Sequence, residues 1–143
     1  MTKVDFYLLT SHQPQASKRF ACKLTEKAYR LGHQIYIQTE NQAQAQEMDE
    51  LLWTFRQGSF VPHALINSEE ADESPVLIGY EREPEGKLEL LINLCAEVPA
   101  FFSRFQRVAE IIGQDENHRH AGRQRYRYYR DHGCLLETHE LNF

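Results

Sequence analysis

Arginine and tyrosine alternate near the end of the chain, a pattern suited to binding an anion beside an apolar or aromatic group. Residues 117–130 contain five arginines and no acidic residue. Guanidinium groups bind carboxylate or phosphate through paired hydrogen bonds, and a phenol ring packs an apolar side chain or a base. On a helix, one face would carry Arg119, Arg123, Tyr126, Arg127 and Arg130. Such a face usually is only solvated, but it also fits an acidic peptide with an aromatic residue, or single-stranded nucleic acid.

A tryptophan and a phenylalanine in the middle of the chain form a second candidate binding surface. A predicted helix begins after Asn41, and Trp53 falls to one side of its apolar stripe while Phe60 follows the helix. Exposed Trp and Phe side chains give a partner protein a large contact area. The alternative is that both aromatic side chains only close the edge of the hydrophobic core.

Sequence motifs for nucleotide binding and catalysis are absent. No glycine-rich turn follows the first predicted strand, and neither GxxxxGK[ST] nor GxSxG occurs in the sequence. Asp115, Glu116, His118 and His120 form the one cluster of metal-ligand side chains that are close in sequence. Their spacing matches no closed zinc site, and a solvated turn before the last helix is the simpler interpretation. We therefore predict no catalytic residue, no metal and no cofactor.

Length and composition predict a single globular domain in the cytoplasm. The chain has 143 residues, of which 41% are hydrophobic, and this fills one core. No apolar run reaches the roughly 20 residues of a membrane-spanning helix, and the first residues lack the features of a signal peptide. The three cysteines, at positions 22, 95 and 134, form no CxxC pair. They predict reduced, mostly buried thiols.

Charge is distributed unevenly along the sequence. The net charge is -5, and residues 69–86 hold seven acidic residues against one arginine, in contrast to the arginine-rich segment 117–130. An acidic body argues against nonspecific nucleic-acid binding by the whole surface, because contact with phosphates needs dense positive charge. The pattern predicts one basic patch that meets an acidic partner or nucleic acid.

The hydrophobic pattern predicts an α/β fold with a parallel sheet. A buried strand at 4–9 precedes a helix that Gly32 ends, and a strand at 34–38 precedes the helix after Asn41. Further strands are predicted at 64–66, 76–78 and 87–94, giving about five strands in total. Helices are predicted at 99–112 and from about 121 to 132, where Gly133 ends the second one, and residues 134–136 are extended. This β-α-β-α order is typical of parallel sheets with packed helices.

Four segments together resemble one known family. They are Phe6–Leu9, Met48–Trp53, Ser59–His63, and Arg123–Arg130 followed by Gly133. In this order and spacing the sequence resembles the chi subunit of bacterial DNA polymerase III over almost its whole length. The Ser-Phe-Val-Pro-His segment is the most specific of the four. Two places depart from the family pattern: the acidic stretch Ser68–Ser74, and Tyr128, where the family has a smaller residue.

The resemblance implies a fold and a non-enzymatic function. The fold would be a single Rossmann-like α/β domain over residues 1–143, with a mostly parallel sheet flanked by helices and no nucleotide-binding loop. The function would be that of a non-catalytic accessory subunit of the clamp-loader complex. It would link the clamp loader to single-stranded DNA-binding protein, with no membrane contact and no specific DNA binding of its own.

The resemblance also implies two separate binding faces. On one face Trp53 and Phe60 match residues that bind the psi subunit, or a helicase as an alternative partner, and Val61 and Pro62 are assigned to this face with them. The other face would bind the acidic C-terminal tail of single-stranded DNA-binding protein, which ends in phenylalanine. The family pattern assigns five positions to this face: Arg123, Tyr126, Arg119 in place of a lysine, Ile112 as an apolar wall, and Thr138. Arg127 adds positive charge nearby.

Two other functions compete with this interpretation. A single-stranded nucleic-acid-binding module would use the same Arg/Tyr strip, but the net negative charge and the lack of a second aromatic platform disfavour it. The other competing function is that of a nucleotide-using enzyme, and the absence of a phosphate-binding loop disfavours it.

Overall fold

All strands belong to one parallel sheet. The computed structural model describes residues 2–86 and 89–142. Their elements, in chain order, are β1 (Lys3–Leu9), α1 (Ala16–Arg30), β2 (Ile35–Gln38), α2 (Gln42–Thr54), β3 (Ala64–Leu65), β4 (Val76–Gly79), β5 (Leu90–Asn93), β6 (Arg107–Ile112), α3 (Glu116–Asp131) and β7 (Leu135–Leu141). The sheet order is β3-β4-β2-β5-β6-β1-β7, and every neighbouring pair is parallel. The predicted α/β class is confirmed.

Helix ends fall where the sequence predicts them in three places. The Asn41 side chain caps α2 by accepting a hydrogen bond from the Gln44 backbone N–H at 2.9 Å. Gly32 and Gly133 follow α1 and α3 with φ of 87° and 76°, a left-handed conformation that glycine adopts without steric cost. After each glycine the chain turns directly toward the next strand.

The predicted helix at 99–112 is wrong. This segment forms a short 3-10 helix, Phe102–Arg104, and then the central strand β6, which pairs with β1 and β5. Residues 108–112 are all buried, as expected for a strand covered on both faces by helices. Phe101 and Phe105, whose spacing is that of a helix, belong to the turn before the strand. The pattern therefore predicts one helix where the structure has a turn followed by a strand.

The end of the chain also differs from the prediction. Helix α3 begins at Glu116 instead of about residue 121, because the Asp115 side chain accepts a hydrogen bond from the Asn117 backbone N–H at 3.1 Å and caps the helix. The predicted extended piece at 134–136 is the start of β7, a seven-residue edge strand that pairs with β1. With strands β6 and β7, the described residues form seven strands instead of the five predicted. Residues 87 and 88 of the predicted strand 87–94 lie outside the described residues.

Helices cover the sheet on both faces. Helices α1 and α2 enclose the larger cluster of buried residues, which includes Met48 and Leu52. Helix α3 and the 3-10 helix cover the second cluster, in which Phe6, Phe102 and Tyr129 pack together. Strand β7 is the edge strand of the sheet next to β1. A groove is left open between this edge and α3.

Candidate protein-binding sites

A groove of about 320 Å³ lies between α3 and strands β1, β6 and β7. Its apolar lining comes from Phe6, Leu8 and Ile112, and Tyr126 leans over it with its ring centroid 5.2 Å from that of Phe6. The polar lining includes Arg119, Arg123 and Thr138. The five residues that the family resemblance assigns to the acidic-tail face are therefore together in one groove.

Helical spacing and strand register bring these residues together. Arg119, Arg123 and Tyr126 are separated by four and three positions in α3, so they share one side of the helix. Thr138 is opposite Phe6 in the β1–β7 register, and Ile112 is opposite Leu8 in the β1–β6 register. Their side chains thus rise from the same face of the sheet beneath α3.

The two arginines of the groove differ in how they are held. The Arg119 guanidinium donates to the Gln114 side-chain oxygen at 2.7 Å, and the Gln114 amide donates to the Leu9 backbone oxygen at 2.7 Å. Arg123 is exposed and has no hydrogen-bond or ion-pair partner within residues 2–86 and 89–142. One cation is fixed at the rim, and the other is available to a ligand.

Arg127 does not line the groove. It is exposed on the outer side of α3, and Arg130 lies near Asp131 at 3.5 Å. Tyr128 is 39% exposed and stacks on His132 with ring centroids 4.0 Å apart, so this departure from the family pattern is accommodated at the surface. The predicted basic strip therefore divides into groove residues and outward-facing residues.

A buried ion pair fixes α3 against the sheet. Arg125, counted in the basic run by sequence, is 7% exposed, and its Nε donates to Glu110 Oε1 at 2.8 Å. The Tyr129 hydroxyl and the Asn93 amide donate to Glu110 Oε2 at 2.6 and 2.9 Å. Burial and the adjacent Glu110 carboxylate raise the pKa of Tyr129 well above its usual value, so the hydroxyl stays protonated as a donor.

Sequence reasoning missed the role of Arg125 and Tyr129. Their four-residue separation is a signal, since Gly122, Arg125 and Tyr129 follow one another at helical spacing on the side of α3 that faces the sheet. These three residues form the buried side of α3.

The second candidate surface is an aromatic patch beside α2. Trp53 is 50% exposed and Phe60 is 67% exposed, with ring centroids 5.8 Å apart. The Trp53 ring also packs on His63 at 4.4 Å. Exposure of this size argues against the alternative that both rings only close the core.

The segment beside the patch has a buried interior. Val61 is completely buried and packs in the core, so it supports the patch from beneath and does not reach the surface, while Pro62 is half-buried. The His63 ring is inaccessible to solvent, and its two nitrogens lie 2.7 Å from the backbone oxygen of Val61 and 3.0 Å from that of Asp49. The Trp53 ring thus packs on a side chain that is itself buried and hydrogen-bonded.

Glu26 fixes the backbone that leads to Phe60. This side chain in α1 accepts hydrogen bonds from Arg56 at 2.7 Å and from the Ser59 hydroxyl, and Arg30 lies 3.4 Å away. Burial acts to raise the pKa of the Glu26 carboxyl, but the hydrogen bonds from Ser59 and Arg56 and the charges of Arg30 and Arg56 outweigh it and lower the pKa. The turn after α2 is therefore tied to α1 by a charged contact.

Two side chains of the cluster at residues 115–120, where the sequence predicts a solvated turn, serve other contacts. Asp115 caps α3, and the His120 ring lies 3.4 Å from the Gln124 amide. Among the described residues, a group of three ligand types comes together at Asp5, Glu137 and His139 instead. Cationic side chains already occupy this group, with Arg107 at 2.6 Å from Asp5 and Lys3 at 2.7 Å from Glu137. The arrangement is an ion-pair network around the buried Asp5 carboxylate.

A larger cleft of about 750 Å³ opens at the carboxyl ends of β1 and β6, between residues 11–18 and 113–118. Ligands of open α/β sheets bind at such an edge, but the turn after β1 has no glycine to admit a phosphate.

The described cysteines are free thiols, and burial raises the pKa of Cys22 and Cys95 to about 12, so neither is a thiolate at neutral pH. None of the helices within 2–86 and 89–142 is long and apolar enough to cross a membrane.

Comparisons with solved structures show the fold. T4 UvsW aligns with 99% of this chain and 42% of its own at a TM-score of 0.66 and 10% identity. Dbp5 of S. cerevisiae, solved with RNA and ADP BeF3, aligns with 96% of this chain and 41% of its own at a TM-score of 0.64 and 16% identity. The chain therefore spans less than half the length of either structure, and at these identities the likeness concerns the Rossmann-like fold alone.

Comparisons of sequence show the family. The chain is 43% identical over 141 residues to DNA polymerase III subunit chi of Pseudomonas aeruginosa, covering 99% of this chain and 98% of the relative. It is 31% identical over 138 residues to the protein of the same name from Haemophilus influenzae, covering 96% of both chains. Because the family model described as DNA polymerase III chi subunit, HolC, also matches residues 1–137, the chain belongs to the DNA polymerase III chi subunit family.

Proposed function

We propose that this protein is an adaptor of the replication machinery that binds two proteins at two separate sites. The groove beneath α3 binds the acidic C-terminal tail of single-stranded DNA-binding protein. The patch of Trp53 and Phe60 binds the psi subunit, which connects the chain to the clamp loader, or a helicase in its place. In this way the polymerase is held in the cytoplasm near single-stranded DNA that is already coated by protein.

The observation that carries the proposal is the unpaired Arg123 beside an apolar groove. A peptide that ends in phenylalanine offers a carboxylate and an aromatic ring within one residue. Arg123 supplies the cation for the carboxylate, and Tyr126 with Ile112 supplies the apolar surface for the ring. The groove thus offers a cation for the terminal carboxylate and an apolar surface for the phenylalanine ring.

The remaining cations suit the acidic residues upstream in the tail. Arg119 is held at the rim by Gln114, so it is ordered before a ligand arrives. Arg127 extends the positive surface outward along α3. Cations at such a rim add to the association rate and to salt sensitivity more than to the final affinity.

The aromatic patch supports the second half of the proposal. A half-exposed tryptophan next to a largely exposed phenylalanine gives little stability to a monomer, whereas a partner that covers both rings gains a large apolar contact. The buried His63 and Val61 below them keep the rings in place, so little order has to be gained on binding.

A direct titration tests the tail assignment. We expect the protein to bind a peptide that ends in Asp-Ile-Pro-Phe in a saturable, salt-sensitive manner, and to bind a short single-stranded oligonucleotide much more weakly in the same buffer. The matched control is the same peptide without its terminal phenylalanine. Tighter binding of the oligonucleotide than of the peptide at physiological salt would instead favour the single-stranded nucleic-acid module.

A further inference from the structure

A glycine occupies the middle of α3, where that residue destabilises a helix relative to alanine. Gly122 is not among the residues with positive φ, so conformational freedom does not explain its presence. Close packing does. A Cβ atom at this position would lie 2.6 Å from Ile112 Cδ1 and 3.3 Å from Ile112 Cγ1, whereas carbon atoms in contact are usually about 3.5–4.0 Å apart.

Gly122 and Ile112 both line the groove. Ile112 is 6% exposed and packs in the cluster that contains Phe6 and Tyr129. A methyl group at position 122 would push Cδ1 away from α3. Since the core on the other sides of Ile112 is filled, the groove is the open space into which the side chain can move.

We propose that Gly122 sets the depth of the groove: it lets Ile112 lie close beneath α3, and the space this leaves selects a ligand with a large terminal apolar side chain. The inference rests on the proposed function of the groove as a peptide site, and it deepens that function by naming the residue pair that determines size selection. Gly122 acts through Ile112 and is therefore a positioning residue.

The proposal predicts an effect that depends on ligand size. In a shallower groove a terminal phenylalanine loses contact, and one methylene group in an apolar pocket changes affinity by roughly 10- to 200-fold. Gly122→Ala should therefore weaken a peptide ending in Asp-Ile-Pro-Phe by about tenfold or more. A peptide ending in Asp-Ile-Pro-Ala, which does not fill the groove, should change by less than about threefold, so the preference for phenylalanine falls.

The experiment measures both peptides by calorimetric titration against wild type, Gly122→Ala, and Gly122→Ala combined with Ile112→Val. Valine lacks Cδ1, so the double variant removes the 2.6 Å contact and should recover most of the affinity for the phenylalanine peptide. Thermal unfolding followed by circular dichroism shows that each variant is folded. If the added methyl group only displaced α3 as a whole, both peptides would weaken equally, and the inference about size selection would fail.

A second variant tests the same inference in the native helix. Ile112→Val with Gly122 retained enlarges the groove, so the affinity for a peptide ending in tryptophan should rise relative to one ending in phenylalanine. An unchanged ratio overturns the inference, and so does a Gly122→Ala protein that binds the phenylalanine peptide as wild type does. In both cases the wild type still binds the peptide and the proposed function stands, whereas wild type that binds neither peptide overturns both.

Discussion

At the scale of single residues, the groove separates a fixed cation from a free one. Arg119 is held by Gln114, whereas Arg123 meets no acceptor in the described part of the chain. An unpaired guanidinium at the rim of an apolar groove contributes little to folding, because it remains hydrated until a ligand replaces the water. Its energetic contribution is therefore to binding.

Replacement of Arg123 tests this directly. A hydrogen bond to a charged group contributes roughly 1.5–3 kcal/mol, so Arg123→Ala should weaken binding of the Asp-Ile-Pro-Phe peptide about tenfold to a hundredfold. Amidation of the peptide's terminal carboxyl should cause a similar loss in wild type and little further loss in Arg123→Ala, since both changes remove one contact. Additive losses in the titration would show that Arg123 contacts the upstream aspartates instead.

The aromatic patch allows a matched test of the second site. Truncation of one hot-spot aromatic residue typically costs about 2 kcal/mol or more of binding free energy. Trp53→Ala and Phe60→Ala should each reduce copurification with psi, while the acidic peptide still binds in titration. If both variants retain psi normally and only unfold at a lower temperature, these rings belong to the fold and not to an interface.

At the scale of elements, α3 is the part whose position decides whether the groove exists. Arg125 and Tyr129 connect the helix to Glu110 of β6 through hydrogen bonds of 2.8 and 2.6 Å. Loss of one partner of a buried ion pair leaves the other charge without compensation. The stability of α3 on the sheet therefore depends on residues that do not line the groove.

Two arginines two positions apart on α3 provide a control for each other. Arg125→Met should lower the free energy of unfolding by about 3–5 kcal/mol, because Glu110 is left buried and unpaired. Arg127→Met, on the exposed side, should change it by less than about 0.5 kcal/mol. Urea unfolding measures both, and equal effects would contradict the ion pair as the anchor of α3.

Glu26 connects α1 to the turn before Phe60 and predicts a pH dependence. Its folded-state pKa lies below the usual 4.5, so its contribution is complete above pH 4.5 and is lost as the pH falls through the folded-state value. At pH 7, Glu26→Gln should cost about 1.5–3 kcal/mol of unfolding free energy. In urea unfolding the difference between wild type and variant should shrink on acidification, and a difference that stays constant would contradict this assignment.

At the scale of the whole molecule, the two sites lie at opposite ends of the sheet. The aromatic patch is beside α2, which packs over β3 and β4, while the groove lies at β1 and β7 on the other face. Four strand spacings separate β4 from β1, or about 19 Å. Sites this far apart with no shared side chains usually contribute independently.

Both partners should therefore bind at the same time. Saturation with psi should change the affinity for the acidic peptide by less than about twofold, and Arg123→Ala should leave copurification with psi intact. Sequential calorimetric titrations measure this, with psi added before the peptide and then in the reverse order. Mutual exclusion would show that the two partners compete for one surface, which would rule out a bridging function.

The sequence by itself determined the local features of this protein. The first two helices, the cap at Asn41 and the glycine stops at Gly32 and Gly133 follow from neighbouring residues, and they are found where predicted. Helical spacing and the family pattern also selected the residues of the groove. Periodicity failed at 99–112, because a turn rich in phenylalanine and a strand buried on both faces together imitate one helix.

Only the tertiary structure decided which of these residues face one another. Arginines 119, 123, 125 and 127 belong to one run in sequence, yet one is held at a rim, one is free, one is buried in an ion pair and one faces outward. Glu110 of β6 holds Arg125, and Gln114 in the turn before α3 holds Arg119, whereas Arg123 and Arg127 meet no such acceptor in the described part of the chain. Side-chain type sets the chemistry that is possible, but burial and long-range contacts determine where it can act.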